Sequence, residues 1–182
     1  MITGKKVNLK EVEEKDLPIL LKYRNNPDFR KYYREYRVLN LQNKLDWWKD
    51  KICNDDSWQF FVVTPHEEPN KVIGSVGLTY IHPVYKSAEF SITIGDEEYR
   101  GGGYGSDALR TIVKFGFDQL NLNRIWCEVY SNNEAVGVYK HIGFTEEGVL
   151  RQSVFKDGKY WNSHVMSMLK SEYDKIYGGE DV

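Results

Sequence analysis

Four glycines crowd into Arg100-Gly101-Gly102-Gly103-Tyr104-Gly105, between a strand-like segment and a strongly amphipathic helical one. No other stretch narrows the options for this chain as far. Without side chains, the loop lets a ligand approach the main chain closely, and its N–H groups can turn inward as a nest. The helix that begins near Tyr104 adds the positive end of its dipole, so the junction suits an anion such as a pyrophosphate. A flexible turn is the plainer reading of the glycines alone. Other phosphate loops fit poorly. A nucleotide P-loop ends in Gly-Lys-Ser/Thr, whereas Gly105 is followed by Ser106-Asp107. A dinucleotide fingerprint counted from Gly103 would need a glycine where Ser106 stands, and no strict strand–helix alternation surrounds it.

The rest of the chain is organised around that junction. Its 182 residues, 41% hydrophobic and 29% charged, suit one domain spanning 1–182 with a core from about 7 to 172. A net charge of -2 gives no signal for nucleic acid or an anionic membrane. Cys53 and Cys127 cannot build a disulfide framework, and neither they nor the histidines have metal-ligand spacing, so no metal is expected. No apolar run is long enough to span a membrane, and the first residues lack a secretory pattern, which makes the cytoplasm the expected compartment.

Strands are expected at 7–12, 58–64, 72–81, 87–95, 124–130, 149–156 and 160–169, the last two joined at Asp157-Gly158. Helices are expected after Asp16, at 41–52, at 104–120, and at 132–142 with Asn132 as cap and Gly143 as stop. In 87–95, Phe90, Ile92 and Ile94 take one face and Glu89, Ser91 and Thr93 the other. The predicted class is α/β: a mixed, mostly antiparallel sheet of about seven strands flanked by helices.

A second constellation follows the glycine loop. Asn132, Ala135, Tyr139 and Gly143-Phe144 recur at helical spacing, with Asn132 and Tyr139 two turns apart on one face. Alone, Asn132 reads as a cap and Tyr139 as packing. Together with Arg100, Gly103 and Gly105, the set resembles the two motifs of the GNAT superfamily of N-acetyltransferases. The phosphate loop of that superfamily is Arg/Gln-x-x-Gly-x-Gly/Ala, and its later motif ends in Gly-Phe. The match runs from Val7 to about Glu172. The tail, Asp157-Gly158-Lys159-Tyr160 and then Met166-Ser167-Met168-Leu169, is similar to a branch that includes ribosomal-protein alanine and spermidine acetyltransferases.

The resemblance implies a GNAT-like fold with a splayed cofactor cleft, and acetyl transfer from acetyl-CoA to an amine without an acyl-enzyme. It implies cofactor contacts at Ile92, Thr93, Ile94, Arg100, Gly101, Gly102, Gly103, Tyr104, Gly105, Ser106, Asn132 and Tyr139. Tyr139 is the expected acid for the departing thiolate. Glu89, on the polar face of its strand, is the expected base, either directly or through water; a solvated surface carboxylate is its bland alternative. Cys127 alternates with Trp126 and Glu128 and shares a face with Ile125 and Val129, as a core thiol would, which counts against a ping-pong route.

Acceptor recognition is expected at Arg30, Tyr33 and Glu35, in a basic and aromatic stretch that also holds Lys31, Arg34 and Arg37. A net positive patch suits an acceptor carrying phosphate or carboxylate, and Tyr23-Arg24-Asn25 is similar to amino-sugar acetyltransferases. A polyamine would prefer carboxylates such as Glu35 and Glu89. A peptide N-terminus, as on a ribosomal protein, needs only an open cleft. The acceptor is therefore expected to be a polyamine or amino sugar, with a protein N-terminus as alternative. Two further readings compete: a single-strand nucleic-acid surface, opposed by the overall charge, and a non-catalytic acyl-CoA-binding regulator, opposed by Tyr139. Neither nucleic acid nor membrane is an expected partner; homodimers are common among the related enzymes.

Overall fold

One sheet carries different helices on its two faces. The computed structural model describes residues 1–178. Strands β1 (Ile2–Thr3), β2 (Val7–Glu11), β3 (Gln59–Pro65), β4 (Gly74–His82), β5 (Ser87–Ile94), β6 (Arg124–Tyr130), β7 (Thr145–Lys156) and β8 (Lys159–Leu169) lie in the order β1-β2-β3-β4-β5-β6-β8-β7. All seven expected strands are present, and the two-residue β1 makes an eighth. Every neighbouring pair is antiparallel except β5 with β6.

The helices are α1 (Leu17–Asn25), α2 (Pro27–Arg30), α3 (Leu41–Trp47), α4 (Tyr104–Asp118), α5 (Ala135–Ile142) and α6 (Lys170–Tyr177). Alternation along β3 divides the core. Phe61 and Val63 join the large cluster with Leu109, Ile112, Val113 and Phe117 of α4. Val62 faces the other way, into a smaller cluster with Leu17 and Leu20 of α1 and with Trp47 and Trp48. Burying each such α4 side chain contributes about 1.5–3 kcal/mol relative to leaving it exposed, which is what seats the helix on the sheet.

Several local expectations are corrected. The 41–52 helix is α3 followed by a π-helical turn, Trp48–Cys53. Asp16 stands at the start of α1, but its carboxylate accepts from the Glu13 N–H (3.0 Å) and closes a preceding 3-10 turn. The helix expected from 132 starts only at Ala135, whose N–H donates to Asn133 Oδ1 (3.0 Å), so Asn132 is not its cap. Strand β7 starts at Thr145 rather than 149, and α2 and α6 are additional.

One irregularity positions everything functional. The β5–β6 ladder runs only from Ser87↔Arg124 to Glu89↔Trp126. Beyond Glu89, β5 continues with β4 on one side, through Ile94↔Gly74, and with no strand on the other. The sheet is splayed there, as the sequence resemblance implied.

Candidate active site

The splay opens a cleft of about 1010 Å³, lined among others by Glu89, Ile92, Gly103, Tyr139, Arg24 and Lys44. One end is the glycine loop. Gly101 and Gly103 have φ of 75° and 85°, a region that disfavours side chains, so the turn into α4 depends on glycine. Among the described residues, no protein acceptor takes the backbone N–H of any residue from 101 to 106; the first bond of α4 is Asp107 N–H to Gly103 O (3.0 Å). An unused run of donors at a helix N-terminus is an anion cradle.

The cradle is held from behind. Asp107, buried in the first turn of α4, accepts from the N–H groups of Lys5 (3.1 Å), Lys6 (2.7 Å) and Val7 (3.1 Å). Lys6 Nζ donates to Gly102 O (2.8 Å). Tyr104 turns away from the cleft: its ring packs edge-on to Tyr99 and its hydroxyl bonds Glu67. Ser106 lines the cleft, whereas Gly102 and Tyr104 do not. Arg100 lies over the Phe29 ring at the cleft wall (4.0 Å to the centroid) and 3.6 Å from Glu97.

Along the middle of the cleft, Ile92, Thr93 and Ile94 present the strand edge that lacks a neighbour. Thr93 Oγ1 bonds the Tyr33 hydroxyl (2.7 Å), which ties the predicted acceptor stretch to the predicted cofactor strand. Tyr139 enters from α5 and packs edge-on to Phe90, with ring centroids 5.0 Å apart. No group among the described residues hydrogen-bonds its hydroxyl. Burial pushes its pKa well up, so the phenol keeps its proton at neutral pH. Asn132 stands outside the cleft lining, with its side-chain oxygen buried and unpaired.

Glu89 is not a solvated surface carboxylate. It is 7% exposed and gripped by Arg34, Nη1 to Oε2 at 2.9 Å and Nη2 to Oε1 at 2.6 Å. Arg34 Nη2 also reaches Glu128 Oε2 (3.2 Å). Burial opposes the charge on Arg34, but its hydrogen bonds to Glu89 and the fields of Glu89 and Glu128 more than offset it, so its pKa is raised. Sequence reasoning read Arg34 as part of a free basic patch and did not single out Glu128. The alternation of Glu128 with Cys127 on β6 was the available signal.

The patch itself resolves into spent and unspent charges. Arg37 is spent on Glu35, Nε to Oε1 at 2.9 Å and Nη2 to Oε2 at 2.6 Å. That hydrogen bonding holds the Glu35 carboxyl down at about 2. Tyr33 and Glu35 line the cleft; Arg30 does not. Cys127 is 4% exposed, and burial, helped by the charge of Glu89, pushes its thiol up, which is the opposite of an activated nucleophile. His82 is engaged with Tyr85, by stacking (4.0 Å between centroids) and by accepting its N–H (3.1 Å).

Among the described residues, no helix is long and apolar enough to cross a membrane, and no His/Cys/Asp/Glu group is arranged to hold a metal.

Comparison with known proteins agrees with this geometry. The acetyltransferase (GNAT) domain family matches residues 6–145. Spermidine N(1)-acetyltransferase of Escherichia coli K12 is 32% identical over 174 residues, covering 95% of this chain and 91% of that protein. The Vibrio cholerae enzyme of the same name is 30% identical, covering 92% of this chain and 95% of its own. The crystal structure of the Vibrio cholerae spermidine N-acetyltransferase with CoA and spermine superposes with a TM-score of 0.83, at 30% identity, over 92% of this chain and 97% of that one. The chain belongs to the GNAT family and is an acetyl-CoA-dependent N-acetyltransferase.

Proposed function

We propose that the acceptor is a primary amine of a small molecule, a polyamine or an amino sugar, acetylated directly in a ternary complex in the cytoplasm. The observation that carries this reading is one cleft lined by Gly101, Gly103, Gly105 and Ser106, whose N–H groups are unused, and by Tyr139 and Glu89. In that reading the loop holds the diphosphate of the cosubstrate, and the open edge of β5 holds its pantetheine arm as an added strand would be held. N–H groups near Ile92–Ile94 polarise the thioester carbonyl.

The acceptor arrives as an ammonium, since a free amine near pKa 10 is protonated at neutral pH. Glu89 takes a proton from it, directly or through water. The amine nitrogen then bonds the carbonyl carbon, the carbon–sulfur bond breaks, and Tyr139 donates its proton to the departing sulfur. The amide nitrogen sheds its second proton through water to the Tyr139 phenolate, which restores the acid, and Glu89 releases the proton it took to solvent. Arg34 presently makes the contacts with Glu89 and Glu128 that an incoming ammonium would make, so it yields or shares them when the acceptor binds.

The spermidine-acetylating relatives favour a polyamine. The basic side chains Arg24 and Lys44 in the same cleft, which have no carboxylate partner among the described residues, favour an amine that also carries an anion. Self-association is proposed as well: a Vibrio cholerae relative at TM-score 0.80 and 27% identity has been solved as a dodecamer. Thiol release from acetyl-CoA with spermidine, spermine, glucosamine and an alanine-leading peptide tests the acceptor class. Turnover of a small amine is the expected result. Turnover of the peptide alone would move the function to protein N-termini, and tight acetyl-CoA binding without any turnover would make the chain a regulator.

A further inference from the structure

Two basic side chains line the cleft without an ion-pair partner among the described residues. Arg24, on α1, lies over the Tyr33 ring with its guanidinium 3.7 Å from the centroid. Lys44, on α3, lies over the Trp47 ring with Nζ 3.5 Å from the centroid. Neither has a carboxylate within ion-pair distance among the described residues, and the same holds for Lys156 at the end of β7. Glu35, whose field reaches Arg24, is already clamped by Arg37. The aromatic faces supply some compensation, but a desolvated cation is ordinarily paired.

The fields confirm that these charges converge. Burial and then Arg24 push Lys44 down to about 7, and burial followed by Arg24 lowers Lys156 as well. Lys156 lines an adjoining cavity of about 540 Å³ that shares Arg34, Glu128 and Tyr130 with the main cleft. The polar layout of the acceptor region is therefore divided: carboxylates Glu89 and Glu128 at the splay, unneutralised cations on α1, α3 and the β7 end.

We propose that Arg24 and Lys44, with Lys156 across the adjoining cavity, form a subsite for a phosphate or carboxylate group carried by the acceptor. This rests on the acetyl-transfer reading and narrows it to an amine that also bears an anion. A simple polycation would meet like charge at Arg24 and Lys44, whereas a phosphate or carboxylate would complete them with charge-assisted hydrogen bonds. The same acceptor's ammonium is served by Glu89 and Glu128.

The test begins with calorimetry on enzyme saturated with coenzyme A, so that the glycine loop is occupied. Inorganic phosphate and, separately, acetate are titrated into wild type, Lys44→Gln and Arg24→Gln. Saturable binding of at least one anion is expected, weakened about tenfold or more in each variant; which anion binds identifies the group. Thiol release is then compared for glucosamine 6-phosphate against glucosamine, 6-aminohexanoate against hexylamine, and spermidine. The anionic member of a pair should be preferred, and Lys44→Gln should erase the preference while acetyl-CoA affinity stays. Lys44→Gln alone suffices if Arg24→Gln misfolds. Absence of anion binding to coenzyme-saturated enzyme, an unchanged preference in Lys44→Gln, or spermidine as the better acceptor would overturn the subsite. Failure to bind acetyl-CoA at all would instead remove the underlying reading.

Discussion

Tyr139 and Glu89 behave differently as single residues, and the difference is physical. The Tyr139 hydroxyl has no hydrogen-bond partner among the described residues, and burial keeps it protonated, the state that the proposed acid requires. Tyr139→Phe should lower kcat by about 10²–10⁴, the range for a positioned general acid. Acetyl-CoA affinity should not change; steady-state kinetics beside calorimetry separate the two. Unaltered turnover at saturation would remove the assignment. Glu89→Gln should lower kcat/KM by about 10²-fold or more, as loss of a positioned base would. A kcat/KM equal to wild type would show that another group takes the proton. Lys44 supplies a stability test with a definite sign. Its pKa falls from 10.5 in the unfolded chain to about 7 in the fold, so the unfolded chain binds more protons between those values. Lys44 therefore weakens the fold most below pH 7, and that penalty fades as pH rises toward 10.5. Lys44→Met should gain most in melting temperature at pH 6–7 and little at pH 10; a gap independent of pH would contradict it. Tyr139 could be singled out in the sequence because its spacing from Gly143-Phe144 is local, and its role as the acid remains the proposal. The Arg34–Glu89–Glu128 contact was not, because three segments far apart in sequence meet only in the fold.

At the scale of elements, α4 carries the site because its first turn is fixed from outside. Asp107 collects three N–H groups from residues 5–7 and so locks the start of β2 to the start of α4. Asp107→Ala would remove the carboxylate that accepts from those three N–H groups, leaving the buried Val7 N–H in particular without it. It should cost on the order of 3 kcal/mol by denaturant melting, and acetyl-CoA affinity should fall with it. A loss below about 1 kcal/mol would show that water replaces the carboxylate without penalty. Strong periodicity made α4 readable, since its burial follows it; β5 was readable from the alternation of its residue types, although burial along it does not alternate. The early start of β7 was not readable because that strand is exposed along most of its length and carries no alternation. The start of α5 was misplaced for a similar reason: Asn132 has the chemistry of a cap, but the turn after β6 puts Glu134 at the cap position and leaves Asn133 Oδ1 to accept from Ala135 N–H.

For the whole molecule, the splay between β5 and β6 turns a sheet into an enzyme. It frees one edge of β5, and the glycine loop and α5 converge on that gap from different parts of the sequence. The overall fold was legible because its motifs and strand pattern span nearly the whole chain. The acceptor was less legible because its recognition depends on which charges are spent on each other. The exposed edge strand β7, with Leu150 and Phe155 outward, is a surface suited to self-association. Light scattering should return a mass that is a multiple of 21.4 kDa; a monomer at micromolar concentration would argue against that proposal.

The proposed grip of the loop at 101–105 on the coenzyme is where every other assignment begins. Calorimetric titration of acetyl-CoA into wild type and Gly103→Val tests it, because φ of 85° at Gly103 is closed to a β-branched side chain and the loop must re-angle its N–H groups. Saturable binding to wild type, with affinity lower by about tenfold or more in a variant whose fold is intact, is the predicted result. Equal affinity in the two proteins would contradict it.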